Sequence, residues 1–144
     1  MFLDNSILDF GRFSNNKKPP VQLTQVAFWN ILLLMTQPIE AVLVGAGNRG
    51  YSAYGSHALA HPEEMRFVAV AEPHDVRGAR FAQAHDIPPE RRFRTWEELL
   101  SQGQMADAAL ICTLDDLHVG PTMAALEVGY DVLLEKPMAT TVAD

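Results

Sequence analysis

The chain is short of cysteine, of basic charge and of long apolar runs, and each shortage excludes a class of protein. One cysteine, Cys112, in 144 residues excludes an internal disulfide and a cysteine-rich zinc site, and it suits a reducing cytoplasm. Its setting, AALICTL, reads as a small buried hydrophobe, because nothing cationic adjoins it in sequence to favour a thiolate. Lys and Arg number 11 against 18 Asp and Glu, a net charge of −7. Residues 1–34 carry Arg12, Lys17 and Lys18 against Asp4 and Asp9, or +1, which leaves −8 for residues 35–144. An acidic body without a basic stripe argues against nucleic acid as a partner. The apolar run VAFWNILLLM, residues 26–35, is broken by Asn30 and lacks a following small-residue cleavage site. It is about half the ~20 residues that a membrane-crossing helix needs, so no membrane partner is expected.

What is present is the composition of a soluble globular domain, 48% hydrophobic and 20% charged, with no repeat or low-complexity segment. A chain of this length hides about 68–70% of its unfolded surface, enough for one core. Composition breaks at Pro19–Pro20 and again at Met35, where MTQPIEAVLVGAGNRG opens a domain cleanly. Residues 1–34 are therefore read as an N-terminal extension of unknown role, and residues 35–144 as the folded unit.

From Ile39 onward, strand-length apolar runs alternate with helix-period segments, the pattern of βαβ units. Strands are expected at 39–45, 66–72, 92–94, 107–114 and 131–136. Helices are expected at 49–60, ending before His61–Pro62; at 75–86, weakened by Gly78; at 95–102, where Thr95 and Glu98 have capping-box spacing; and at 119–129, with Pro121 in the first turn and Gly129 as C-cap. The fold class is α/β, a single domain built on a doubly wound parallel sheet of Rossmann type in the order 3-2-1-4-5.

GAGNRG, Gly45 to Gly50, is G-x-G-x-x-G between the first strand and the first helix. Gly45 permits the tight turn, Gly47 lets a pyrophosphate approach the backbone, and Gly50 allows close helix packing, while the helix N-terminus offers unpaired N–H groups. Glu72 ends the second strand, 22 residues after Gly50, where an acid can accept from the adenosine ribose hydroxyls. A carboxylate there repels a 2′-phosphate, so NAD is expected over NADP, with Arg77 and Arg80 read as surface charges on a solvated helix face. Thr113 and His118 follow the fourth strand and are candidates to line the cofactor cleft; His118 is equally readable as a helix-opening residue without a ligand. Lys136 follows the fifth strand. His57 and His61 have the i, i+4 spacing of a metal pair, but no glutamate lies between them as in H-E-x-x-H and no further ligand is evident, so no metal is expected.

AVLVGAGNRG, VAVAEP and DAALICTLDDLHVGPTMAALEVGYDVLLEKPMATT together resemble the nucleotide-binding domain of the Gfo/Idh/MocA oxidoreductases, with ALEVGYDVLLEKP the most specific element. The resemblance implies that Lys136 is the active-site lysine, beside the nicotinamide and a substrate hydroxyl, framed by Glu135 and Pro137. It implies that Gly45, Gly47, Asn48, Arg49 and Gly50 hold the pyrophosphate, that Glu72 holds the ribose, and that Thr113 and His118 line the cofactor site. Leu114 departs from the family's usual proline, which suggests a less rigid loop. Family members are similar to two-domain enzymes, and the resemblance places Asp144 in the helix after EKP. The chain is accordingly expected to hold the cofactor half without the C-terminal substrate domain, and to have little or no turnover alone. The implied reaction is hydride transfer between NAD and a sugar- or polyol-type hydroxyl. A non-catalytic dinucleotide-binding module and an NAD-dependent glycosidase-like enzyme are the alternatives. A cytoplasmic location and a homo-oligomer complete the expectations.

Overall fold

The computed structural model describes residues 37–141; the extension at 1–34, the domain's opening at Met35 and the helix expected to hold Asp144 lie outside them. The strands are β1 (Ile39–Val44), β2 (Met65–Ala71), β3 (Arg92–Phe93), β4 (Ala108–Ile111) and β5 (Asp131–Leu134). They form one sheet in the order β3-β2-β1-β4-β5, and every pairing is parallel. Both the fold class and the strand order are as the sequence implied. Continuous apolar runs build the central strands because each is covered on both faces. Ala41, Val42, Leu43 and Val44 of β1 are all buried.

The helices divide between the two faces. The first, α1, opens as a π-helical segment, Arg49–Gly55, and continues as an α-helix, Ser56–Ala60. With α2 (Asp75–Ala84) it covers a core that includes Ala41, Leu43, Phe67, Phe81 and Leu110. Phe81 meets Phe67 edge-on, ring centroids 5.1 Å apart, a favoured aromatic geometry; burying a side chain of this size contributes about 1.5–3 kcal/mol. Opposite lie α3 (Trp96–Leu100) and α4 (Val119–Val128), over Val42, Val44, Leu99, Ile111 and Tyr130. Alternate residues of β1 thus serve the two cores, as strand periodicity requires.

Two helix ends have the local cause read in the sequence. Thr95 Oγ1 accepts from the Glu98 N–H at 3.2 Å, while the Glu98 carboxylate reaches back to the Arg94 N–H at 2.9 Å, a capping box displaced by one residue. Gly129 closes α4 with φ +107, a left-handed conformation that glycine adopts without a Cβ penalty. Among the described residues no helix is long and apolar enough to cross a membrane.

Candidate functional site

The carboxyl ends of β1, β2, β4 and β5 bring the sequence-expected residues to one end of the sheet, where parallel α/β sheets bind ligands. The glycines play three distinct parts. Gly45 has φ +95, and a Cβ there would lie 2.6 Å from the Cys112 carbonyl oxygen, so the turn out of β1 passes directly against β4. At Gly50 a Cβ would strike the Gly45 carbonyl oxygen and the Leu43 side chain. Gly47 has nothing within 4 Å of a Cβ position. Its bareness therefore answers no neighbour in the protein and leaves room at the backbone for a ligand. The first turn of α1 follows at once, with N–H groups that have no partner inside the helix.

Glu72 stands at the end of β2 with its side chain 2% exposed. Oε2 accepts from the Ala46 N–H at 2.8 Å, inside the glycine loop. Oε1 accepts from the His74 N–H at 2.9 Å and from Arg77 Nη2 at 2.7 Å. A carboxylate has roughly four lone-pair sites; three are taken by the protein, which leaves one acceptor position. Arg77 is thus not the plain surface charge that its solvated helix position suggested, because its guanidinium neutralises Glu72 at the lip of the site.

A cavity of about 430 Å³ runs past Gly45, Gly47, Arg49, Glu72, Arg77 and Thr113. A smaller one of about 160 Å³ adjoins it through Arg49, Cys112 and Thr113, and ends at Glu135 and Lys136. The second cavity thus borders the first and reaches the lysine. A cavity of about 500 Å³ between α1, β2 and the end of α2 contains none of the glycine-loop or strand-end residues and is not part of this site.

Glu135 is fixed by a residue the sequence did not single out. Tyr54, on the inner side of α1, donates from its hydroxyl to Glu135 Oε1 at 2.6 Å across 81 residues of sequence, and Arg49 Nε lies 3.4 Å from the same oxygen. The Tyr54 hydrogen bond, with Arg49 and Lys136 nearby, holds the Glu135 carboxyl below its ordinary range. The same bond, with burial, pushes the Tyr54 phenol up to about 12. No spacing rule announces such a pair; the only signal is a tyrosine one turn beyond the glycine loop, on the face that packs toward β5. Arg49 lines both cavities, with its half-exposed guanidinium beside Glu135. Asn48 Oδ1 accepts from Ser52 Oγ at 3.2 Å.

His118 borders the smaller cavity. It is 1% exposed, with Nδ1 2.6 Å from the Pro137 carbonyl oxygen and Nε2 3.3 Å from that of Thr113. The shorter contact assigns the proton of a neutral ring to Nδ1, which donates to Pro137. Through that bond the imidazole ties the start of α4 to the loop that carries Lys136. Thr113 lines both cavities, its hydroxyl donating to the Leu117 carbonyl at 3.1 Å. Leu114, where the family usually has proline, has φ −70, the value a proline ring would itself impose. Cys112 is buried, and burial pushes its thiol up to about 12, in line with an inert thiol.

Residues 39–144 match the family described as an oxidoreductase family with an NAD-binding Rossmann fold, Gfo/Idh/MocA. No curated protein matches the chain. Among solved structures it is similar to the WlbA dehydrogenase from Bordetella pertussis in complex with NADH and UDP-GlcNAcA, at 26% identity and TM-score 0.64 over 73% of this chain and 30% of that one. It is similar to biliverdin reductase from Synechocystis sp. in complex with biliverdin and NADP+, at 28% identity and TM-score 0.60 over 74% and 32%. A likeness of fold alone extends to the aldose-aldose oxidoreductase from Caulobacter crescentus, at 24% identity and TM-score 0.64 over 74% and 32%. The chain spans less than a third of the length of these solved structures.

Proposed function

The chain belongs to the Gfo/Idh/MocA family of oxidoreductases, whose domain of this kind is an NAD-binding Rossmann fold, and from that premise we propose that it supplies the cofactor half of an enzyme transferring hydride between NAD and a sugar- or polyol-type hydroxyl. The observation that carries this reading is the adjacency of two cavities: the open backbone at Gly47 and the carboxylate of Glu72 share one, and Lys136 stands in the next. The pyrophosphate lies against Gly45, Gly47 and the first turn of α1, and the adenosine ribose takes the last acceptor position of Glu72. That places the nicotinamide end toward Thr113 and Lys136. NAD supplies the hydride chemistry when bound. Lys136 sits beside the substrate oxygen, where an ammonium group stabilises developing negative charge and can donate a proton. Glu135, pinned by Tyr54, keeps a fixed negative charge next to that lysine.

The sugar class is supported by the WlbA relative, which was solved with a nucleotide sugar beside NADH. The groups that bind the rest of the substrate belong to protein beyond residues 37–141. NAD is favoured over NADP because Glu72 is buried beside the ribose position, although Arg77 softens the discrimination by neutralising it.

The test is a calorimetric titration with NAD and with NADP, of the protein, of Glu72→Ala and of Lys136→Met. The reading expects NAD to bind more tightly than NADP, Glu72→Ala to lose that preference, and Lys136→Met to keep the wild-type NAD affinity. Tighter binding of NADP, or a Glu72→Ala protein that discriminates as the wild type does, contradicts it.

A further inference from the structure

At the amino ends of the strands, across the sheet from the cleft, α1 ends at His61–Pro62 and the chain turns into β2. The turn is held by its backbone: the His61 N–H donates to the His57 carbonyl at 2.9 Å, the Glu64 N–H to the His61 carbonyl at 3.0 Å, and the Ile39 N–H at the start of β1 to the Glu64 carbonyl at 2.8 Å. Two imidazoles and two carboxylates are thereby carried to one patch. His57 Nε2 lies 3.2 Å from Glu64 Oε2, and His61 Nδ1 lies 3.6 Å from Glu63 Oε1. The two rings are 4.8 Å apart at their centroids, and the ligand atoms of His61, Glu63 and Glu64 all fall within 4.8 Å of one another.

A four-coordinate zinc with bonds of about 2.0–2.2 Å needs donor atoms roughly 3.4 Å apart. The side chains here are exposed and need only rotamer adjustment to reach that spacing from where they stand. We propose that His57, His61, Glu63 and Glu64 form a binding site for one divalent transition-metal ion of the Zn2+ type, which clips the last turn of α1 to the turn entering β2. Two imidazole nitrogens with two carboxylate oxygens suit zinc and its neighbours better than Mg2+ or Ca2+, which take oxygen ligands. The positive charge beside the patch, Arg66, is turned to the Pro62 carbonyl at 3.0 Å, and the chain's net charge of −7 favours a cation. The carboxylates that complete the histidine pair come after the helix-ending Pro62, not between the histidines, which is why the spacing of His57 and His61 alone did not disclose them.

The experiment is a calorimetric titration of the tag-free protein with Zn2+, repeated with His57→Ala/His61→Ala and with Glu63→Gln/Glu64→Gln, and accompanied by melting curves with and without Zn2+. One equivalent is expected to bind, with a rise in melting temperature. Loss of even an outer-shell partner weakens metal sites about 10–100-fold, so the histidine variant should lose at least about 10-fold in affinity and the melting shift with it. Circular dichroism should show both variants folded, because the four side chains are exposed. Absence of binding overturns the proposal, and so does binding that the histidine variant leaves unchanged.

Discussion

The two halves of the cleft are built by different means. In the β1–α1–β2 half the backbone itself is the device: Gly45 turns against Cys112, Gly50 lets α1 pack against the loop, and Gly47 stays bare for a ligand. In the β4–α4–β5 half position is set by side chains reaching between distant segments, His118 to Pro137 and Tyr54, from α1, to Glu135. Backbone devices tolerate no side chain where space is missing; side-chain ties can be cut one at a time. The two halves should therefore fail differently.

The largest effect is expected at Gly50. Alanine there meets backbone as well as the Leu43 side chain, and because a carbonyl of the loop cannot move aside without undoing the turn, the loss should exceed about 3 kcal/mol, read by chemical denaturation. His118→Ala should lose about 0.5–3 kcal/mol, the cost of removing a fully buried side chain that is hydrogen-bonded to the Pro137 loop. Its melting temperature should fall while Phe93→Ala, far from this loop, leaves the Thr113 and Lys136 amides undisturbed by NMR.

Tyr54→Phe removes one hydrogen bond to a carboxylate and should lose about 1 kcal/mol at neutral pH. It also has a pH signature with a definite sign. The Tyr54 phenol is raised from 10.0 to about 12 in the fold, so the folded state holds a proton that the unfolded state releases first, and this contribution is complete below pH 10.0 and fades toward about 12. Wild-type stability should drop across that alkaline window more steeply than that of Tyr54→Phe. Glu135 works in the opposite sense: its lowered value stabilises the fold above the ordinary glutamate range and is lost in acid. The smallest effect is expected at Leu114→Pro, where φ is already that of proline; a gain of about 0.4–1 kcal/mol should follow from a stiffer unfolded chain.

The same division explains what could be read from the sequence. The strand order, the glycine loop and Glu72 rest on local rules, periodicity of apolar residues and the spacing of glycines, and each stands in the structure where those rules put it. Lys136 and Glu135 follow β5 as the resemblance implied. What the sequence could not show was partnership. Tyr54 and Glu135 are 81 residues apart, Arg77 needed α2 to be seated before it could reach Glu72, and His118 carries the same letters whether its nitrogens face a ligand or two carbonyls. Such pairings depend on which segments the fold makes adjacent, and spacing along the chain holds no record of that.

The most direct test of the account lies at Gly47, the one glycine of the loop whose missing side chain answers no neighbour in the protein. Gly47→Ala should keep the melting temperature of the wild type, while in a calorimetric titration its affinity for NAD falls by about 10-fold or more, equivalent to about 1.4 kcal/mol. A folded Gly47→Ala protein that binds NAD as tightly as the wild type would contradict the placement of the pyrophosphate at this loop, and with it the reading of the cleft.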